Sequence, residues 1–325
     1  MGRALIAWVL CNGCGIVCAF CAELAVPFIA QRPGCCGPAA LAMVAGYYGR
    51  AVSQDEIAAA TYHSGVGGVL TTDLAEQAQR LGFWARAYSG DLAELRRKLG
   101  YGVPLILLTR WGKRDHFLVA IGANKFDRSI TVHTDTRPSL ELSEEQLLRY
   151  WDRAARWTLL VAPPDRVTWR LSAEEHNDFG LFLERSGRYM AAAGHYRLAA
   201  EMQPRNATFH FNLGNAMLKQ KLFAEAANAF RRAIELAPEN ADALNNLAWC
   251  WCQLGANLDE AAALCRRAVA LRPSQRAYYL DTLGHVLLRQ GRREEARAVF
   301  AEALAATTDR QGALREAIRK QLAQP

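Results

Sequence analysis

The feature that most limits what this chain can fold into is a repeat that fills its second half. Gly180, Gly214, Ala248 and Gly284 stand 34, 34 and 36 residues apart, and Ala192, Ala226, Ala261 and Ala296 follow in phase at 34, 35 and 35. Four positions further on come larger residues, Tyr196, Phe230, Cys265 and Phe300, then small ones at Ala199, Ala233, Ala268 and Ala303. Pro204, Pro238 and Pro273 close the first three units. Small residues facing large ones at this spacing let two antiparallel helices approach closely within a unit. Each unit then buries its remaining apolar face on the next, which predicts an all-α solenoid.

In this phase the units resemble the tetratricopeptide repeat, with four copies over 173–309 and one-residue insertions near Asn257 and Gln275, at expected turns. Residues 310–325, with a helix expected over Gln311–Ala323, would supply the solvating end that such arrays need. The resemblance implies a concave face, lined by the first helix of each unit, that receives an extended peptide of a protein substrate or partner. The most exposed lining positions are expected at Asn177 and Leu181, Phe211 and Asn215, Asn245 and Trp249, and Asp281 and His285. They offer aromatic anchors and side-chain amides. The paired cations that clamp a terminal carboxylate are missing, so an internal peptide segment suits this face better.

With 325 residues, the chain has room for a second domain ahead of the repeats. The formal charge of +7 is spread along it without a Lys/Arg-rich run, which argues against nucleic acid as a partner. Cys250, Cys252 and Cys265 fall at helix-contact positions of the repeats and read as small apolar packing.

At the start, Ala4–Ala22 is almost wholly apolar and follows Arg3. Cys11, Cys14, Cys18 and Cys21 form C-x2-C-x3-C-x2-C, a pattern of metal-binding type. The gap between the two pairs is short and holds Ile16 and Val17, so the cysteines read as small hydrophobes in a signal peptide or membrane anchor over 1–22. No metal and no cofactor is expected. The leader predicts an exported protein in the cell envelope, periplasmic or anchored at its N-terminus.

Residues 23–162 read as an α+β domain, helices first and an antiparallel sheet second. A short strand is expected over Leu24–Ala30, then helices over Ala39–Tyr48, from the capping box Ser53-x-x-Glu56 to Tyr62, over Thr72–Leu81 and over Asp91–Leu99. Strands follow over Pro104–Thr109, His116–Gly122 and Ile130–Thr134. A helix then opens at Ser143-x-x-Gln146, and a strand over Trp157–Val161 closes the domain. A connector begins at Pro163-Pro164, and 163–172 reads as a linker.

The reactive residue in this domain is expected at Cys36, just ahead of Gly37-Pro38-Ala39-Ala40-Leu41. Proline suits a helix's first turn, and a thiol placed there has the positive end of the helix beside it, which favours thiolate. A base must come from elsewhere in the fold. His116 opens a strand, and Asp135, at the end of the next strand, could fix its tautomer. Gln31, five residues before Cys36, could donate to an oxyanion. Cys35 and His133 are the alternatives as nucleophile and base. Asp115 is excluded as the orienter, since neighbours on a strand point to opposite faces.

Gln31-x4-Cys36-Gly37-Pro38-Ala39-Ala40-Leu41-Ala42-Met43, with Tyr47-Tyr48-Gly49 after it, resembles the papain-like bacteriocin-processing cysteine peptidases that remove double-glycine leaders. His116-Phe117-Leu118-Val119 and the later Asp135 match that family's histidine and aspartate blocks in order and spacing. The resemblance spans about Val26 to Val161. It implies Cys36 as nucleophile, His116 as general base and acid, Asp135 as orienter and Gln31 as oxyanion donor. Cys35 stands where the family usually has an aspartate, and the chain lacks the membrane-spanning and ATP-binding domains of the transporter members. A papain-fold acyl transferase would use the same triad; the other alternative is a non-catalytic peptide-binding or scaffold protein, against which the intact set of Gln31, Cys36, His116 and Asp135 argues.

Overall fold

The computed structural model describes residues 23–65 and 67–323 and divides into two compact units, 1–169 and 170–325. The expected leader and its four cysteines lie outside the described residues. Among the described residues no helix is long and apolar enough to cross a membrane.

The first unit opens with an extended segment, then α1 (Cys36–Tyr47) and α2 (Gln54–Thr61). A two-stranded hairpin, β1 (Tyr62–His63) with β2 (Gly68–Val69), leads to α3 (Thr71–Arg80), β3 (Trp84–Ser89) and α4 (Leu92–Gly100). The rest is β4 (Leu105–Trp111), β5 (Arg114–Asn124), β6 (Ser129–Thr134), β7 (Arg137–Ser143), α5 (Glu144–Trp151) and β8 (Trp157–Ala162). These form a six-stranded antiparallel sheet in the order β3-β8-β4-β5-β6-β7.

The helix α1 is apolar on every face, and each residue from Gly37 to Ala45 is buried. A helix without a polar side cannot sit at a surface, so it becomes the centre of the domain. It shares a core with Phe117, Val119 and Ile121 of β5. Both expected capping boxes form: Ser53 accepts from Glu56 N–H ahead of α2, and Ser143 from Gln146 N–H ahead of α5.

No strand forms over Leu24–Ala30. The segment runs extended beside the sheet, tied by Leu24 N–H to Ile121 O (2.8 Å) and Gln31 N–H to Asp135 O (3.0 Å). Pro27 has no N–H to donate, so a continuous ladder cannot form there. Two strands escape the sequence reading. β3 mixes Trp84, Arg86 and Tyr88 with alanines, and β7 is a largely exposed edge containing Pro138. Partners already in the sheet make both into strands. Trp169, inside the expected linker, is buried; its ring stacks on Trp84, and Lys98 Nζ lies 4.8 Å from its centre.

The second unit is all helical: α6 (Ala173–Arg185), α7 (Tyr189–Met202), α8 (Ala207–Lys219), α9 (Phe223–Leu236), α10 (Ala241–Leu254), α11 (Leu258–Leu271), α12 (Arg276–Arg289), α13 (Arg293–Ala305) and a final α14 (Gly312–Leu322). The small–large alternation is a direct packing device. A Cβ added at Gly180 would lie 2.6 Å from the Tyr196 ring, at Gly214 2.6 Å from Phe230, and at Gly284 2.5 Å from Phe300. Where the third unit has Ala248 in place of glycine, its partner is the smaller Cys265, and both are fully buried. The inserted residues fall in turns: Asn257 has a left-handed φ of 51°, and Gln275 ends a short 3₁₀ turn.

Asn177 does not present its side chain to a groove. It is buried, and its Oδ1 accepts from Asn212 Nδ2 of the next unit at 2.7 Å. Asn246 Nδ2 donates to Asn215 Oδ1 at 3.0 Å in the same way. These amides satisfy one another between stacked units, which one repeat's sequence does not reveal.

Candidate active site

The helix α1 begins at Cys36, so the thiol sits in its first turn, where backbone N–H groups have no helical partner. Pro38 pre-sets the backbone of that turn and removes one of those donors. Gly37 fixes how close the turn comes to the sheet: a Cβ there would lie 3.2 Å from the Phe117 ring. A side chain at that position would hold Cys36 away from β5. The backbone N–H groups of Phe117, Gly37 and Cys36 all act on the thiol. That places Cys36 beside the strand residue that follows His116.

His116 is largely buried, its side chain 16% exposed, and its Nε2 is engaged twice. Thr134 Oγ1 lies 3.1 Å away in hydrogen-bonding geometry, and Asp135 Oδ1 also lies at 3.1 Å. With Nε2 so held, Nδ1 is the ring nitrogen left to exchange a proton. Asp135 sits in the turn between β6 and β7, and its backbone oxygen holds Gln31 N–H. Gln31 Nε2 is buried and has no hydrogen-bond partner among the described residues. A buried amide donor without an acceptor costs about 1–3 kcal/mol, unless an acceptor arrives from outside. Gln31, Cys36, His116, Thr134 and Asp135 all line one cleft of about 1230 Å³.

The charge states follow from burial. Burial pushes the Cys36 thiol above its ordinary value; the N–H groups of Phe117, Gly37 and Cys36 pull it down, and the Asp135 carboxylate pushes it up. Burial holds the His116 imidazole below its ordinary value, with Asp135 acting the other way. Thiol up and imidazole down both favour the neutral forms, where the helix start alone predicted thiolate. Burial, a property of the assembled domain, outweighs the backbone N–H groups of Phe117, Gly37 and Cys36 here.

The alternatives fall elsewhere. His133 is buried with both nitrogens occupied: Nδ1 accepts from Ser139 N–H at 3.1 Å, which puts the ring proton on Nε2, 3.0 Å from Val26 O. Cys35 occupies the N-cap of α1, and its N–H donates to Arg32 O at 2.9 Å. Asp115 pairs with Arg110 at 2.5 Å.

Two contributors were not visible in the sequence. Thr134 shares His116 Nε2, and its adjacency to Asp135 was the only signal. Gln54, in the first turn of α2, brackets the loop that carries Gln31: its Oε1 accepts from Arg32 N–H at 3.1 Å and its Nε2 donates to Ala30 O at 3.0 Å.

Residues 26–165 match the model of the Peptidase C39 family. Residues 178–235 and 218–276 match one tetratricopeptide-repeat model, and 280–314 match another. Among solved structures, the peptidase domain of Streptococcus ComA, a bifunctional ABC transporter involved in a quorum-sensing pathway, is 24% identical; the alignment covers 43% of this chain and 98% of that one, with a TM-score of 0.37. A MamA crystal structure is 22% identical over 41% of this chain and 72% of that one, with a TM-score of 0.39. A MamA fragment from Desulfovibrio magneticus RS-1 is 21% identical over 42% and 75%, also with a TM-score of 0.39. No curated protein matches the chain. The chain therefore carries a Peptidase C39 family domain over residues 26–165, followed by tetratricopeptide repeats.

Proposed function

We propose that the first domain is a cysteine peptidase that hydrolyses peptide bonds with Cys36 as nucleophile, and that the repeats recruit a protein substrate or partner. The observation that carries this reading is the unpartnered buried Nε2 of Gln31 in the same cleft as Cys36 and a His116 held by Asp135. A donor left unsatisfied beside a nucleophile and a base is what an oxyanion requires.

In this reading a peptide carbonyl enters the cleft, and the Cys36 proton passes to His116 Nδ1 as sulfur attacks the carbonyl carbon. The carbonyl oxygen becomes an oxyanion, stabilised by Gln31 Nε2–H and the first-turn N–H groups of α1. Asp135 stabilises the imidazolium through Nε2. His116 then gives its proton to the leaving amine as the C–N bond breaks. Water, deprotonated by the same ring, releases the acid and regenerates the thiol.

The test is a peptide-based suicide probe on purified protein, with mapping of the labelled residue. Cys36→Ala should abolish labelling and hydrolysis, and Cys35→Ala should keep most of both. His116→Ala should slow hydrolysis by at least ~100-fold, the scale of lost acid–base help, with Asp135→Asn less damaging. Labelling that moves to Cys35 would overturn the assignment.

The apolar stretch Ala4–Ala22 supports export to the cell envelope, with the leader cleaved, lipidated or retained. Intact-mass measurement on protein from its native host tests this, and a full-length cytosolic product carrying zinc or iron would contradict it.

A further inference from the structure

Around the candidate active site the end of the sheet carries a group of cations that line the cleft. On β5, Arg114 stands two residues before His116 and so shares its side of the strand; Asp115 between them also lines the cleft, but its carboxylate is paired with Arg110. On the β6–β7 hairpin, Arg137 lies directly opposite Thr134, the residue whose Oγ1 touches His116. Residues directly opposite in an antiparallel pair project to the same face, so Arg137 joins His116 and Arg114 there. Lys113 stands at the turn just before Arg114. All three cations line the cleft, and none has an ion-pair partner among the described residues. The cleft's own carboxylates are committed, Asp115 to Arg110 and Asp135 to His116. Trp111 lies opposite Arg114, stacked on Tyr150 with ring centres 4.0 Å apart, and gives this face a flat apolar wall.

We propose that this cleft selects peptides carrying Asp or Glu close to the scissile bond, with Arg114 and Arg137 as the specificity-determining residues and Lys113 in support. The inference rests on the peptidase reading above and names its substrate class. The spacing sets the reach. An extended peptide advances about 3.3 Å per residue; Arg114 stands two residues from His116 and Arg137 two from Asp135, so the acidic residue falls within about two to three positions of the cleaved bond. Guanidinium forks suit a carboxylate better than ammonium groups do, because two N–H donors match two oxygens.

The experiment uses the full chain and two peptides that differ only by Glu or Gln at those positions. kcat/KM should favour the Glu peptide by about 5- to 10-fold at about 20 mM salt, the scale of two or three exposed ion pairs. The preference should collapse at about 0.5 M salt, where screening shortens the range of these charges. Arg114→Gln with Arg137→Gln should erase the preference, and Arg114→Glu with Arg137→Glu should invert it toward a Lys peptide. Binding of both peptides to Cys36→Ala, followed by fluorescence polarisation, separates this inference from the peptidase reading. Selective binding of the Glu peptide without hydrolysis by the intact chain would sustain the inference and sink the peptidase reading. Equal binding and equal cleavage of the two peptides would overturn the inference. So would displacement of the Glu peptide by a short oligonucleotide as efficiently as by poly-glutamate, since the face would then read charge and not peptide.

Discussion

At Cys36 two effects of opposite sign meet on one sulfur. The first turn of α1 offers N–H groups that favour thiolate, and burial favours the thiol; burial is the larger. With His116 held below its ordinary value as well, burial favours thiol and neutral imidazole over the ion pair. Alkylation of Cys36 by a small neutral reagent should therefore rise steadily with pH up to and beyond the ordinary thiol value. A plateau of fast alkylation below neutral pH would reveal a preformed ion pair and contradict this. Thr134→Val should lower hydrolysis less than Asp135→Asn, because it removes a hydrogen-bonding oxygen and leaves the carboxylate in place. In the second unit, His176 and His195 meet Nδ1 to Nδ1 at 2.9 Å, so one must donate and the other must be neutral to accept. Burial and His176 hold His195 down at about 4, against an ordinary value of 6.5. As pH falls from 6.5 toward 4, the unfolded chain takes up a proton that the folded one refuses, so stability is lost over that window. The melting temperature of the repeat unit should drop by about 2–6 °C on acidification across it, and His195→Phe should flatten that slope in calorimetry.

Among the elements, the helix pairs of the repeats are set by which face of each helix lacks a side chain. Gly214 is needed because Phe230 fills the space its Cβ would occupy. Gly214→Ala should destabilise by about 1–3 kcal/mol, the cost of overpacking. Gly194, inside α7, has nothing within 4 Å of an added Cβ. Gly194→Ala should stabilise by about 0.5–1 kcal/mol through helix propensity. Denaturant titration of the two variants checks both signs, and equal effects would mean that the close approach at Gly214 is not what holds the pair. The strands behave differently. β7 is a strand because β6 pairs with it, and the β5–β6 register, with Val119 opposite His133, puts Thr134 on the face of His116.

Over the whole molecule, two units with their own cores divide the proposed work, chemistry in the first and capture in the second. The first helices of successive repeats present partly exposed Phe211 and Trp249, the latter edge-on to His285 with ring centres 5.5 Å apart. Phe211→Ala with Trp249→Ala should weaken capture of a protein partner in a pull-down and leave hydrolysis of a small peptide unchanged. Unaltered capture would remove this face from the proposed mechanism. The sequence alone determined what depends on spacing along the chain: the solenoid from its in-phase small and large residues, the capped helices and the central apolar helix; it also named Gln31, Cys36, His116 and Asp135, four of the residues that line the cleft. The helix and cap signals are local, because helices and caps are built from neighbours within a few positions. Tertiary structure decided the rest. The strand status of β3 and β7, the buried Asn177–Asn212 pair, the loss of His133 to Val26 and Ser139, the entry of Thr134 and Gln54 around the site, and the burial that favours the neutral forms of Cys36 and His116 all depend on partners from other elements. Register, burial and desolvation arise only when separate segments meet.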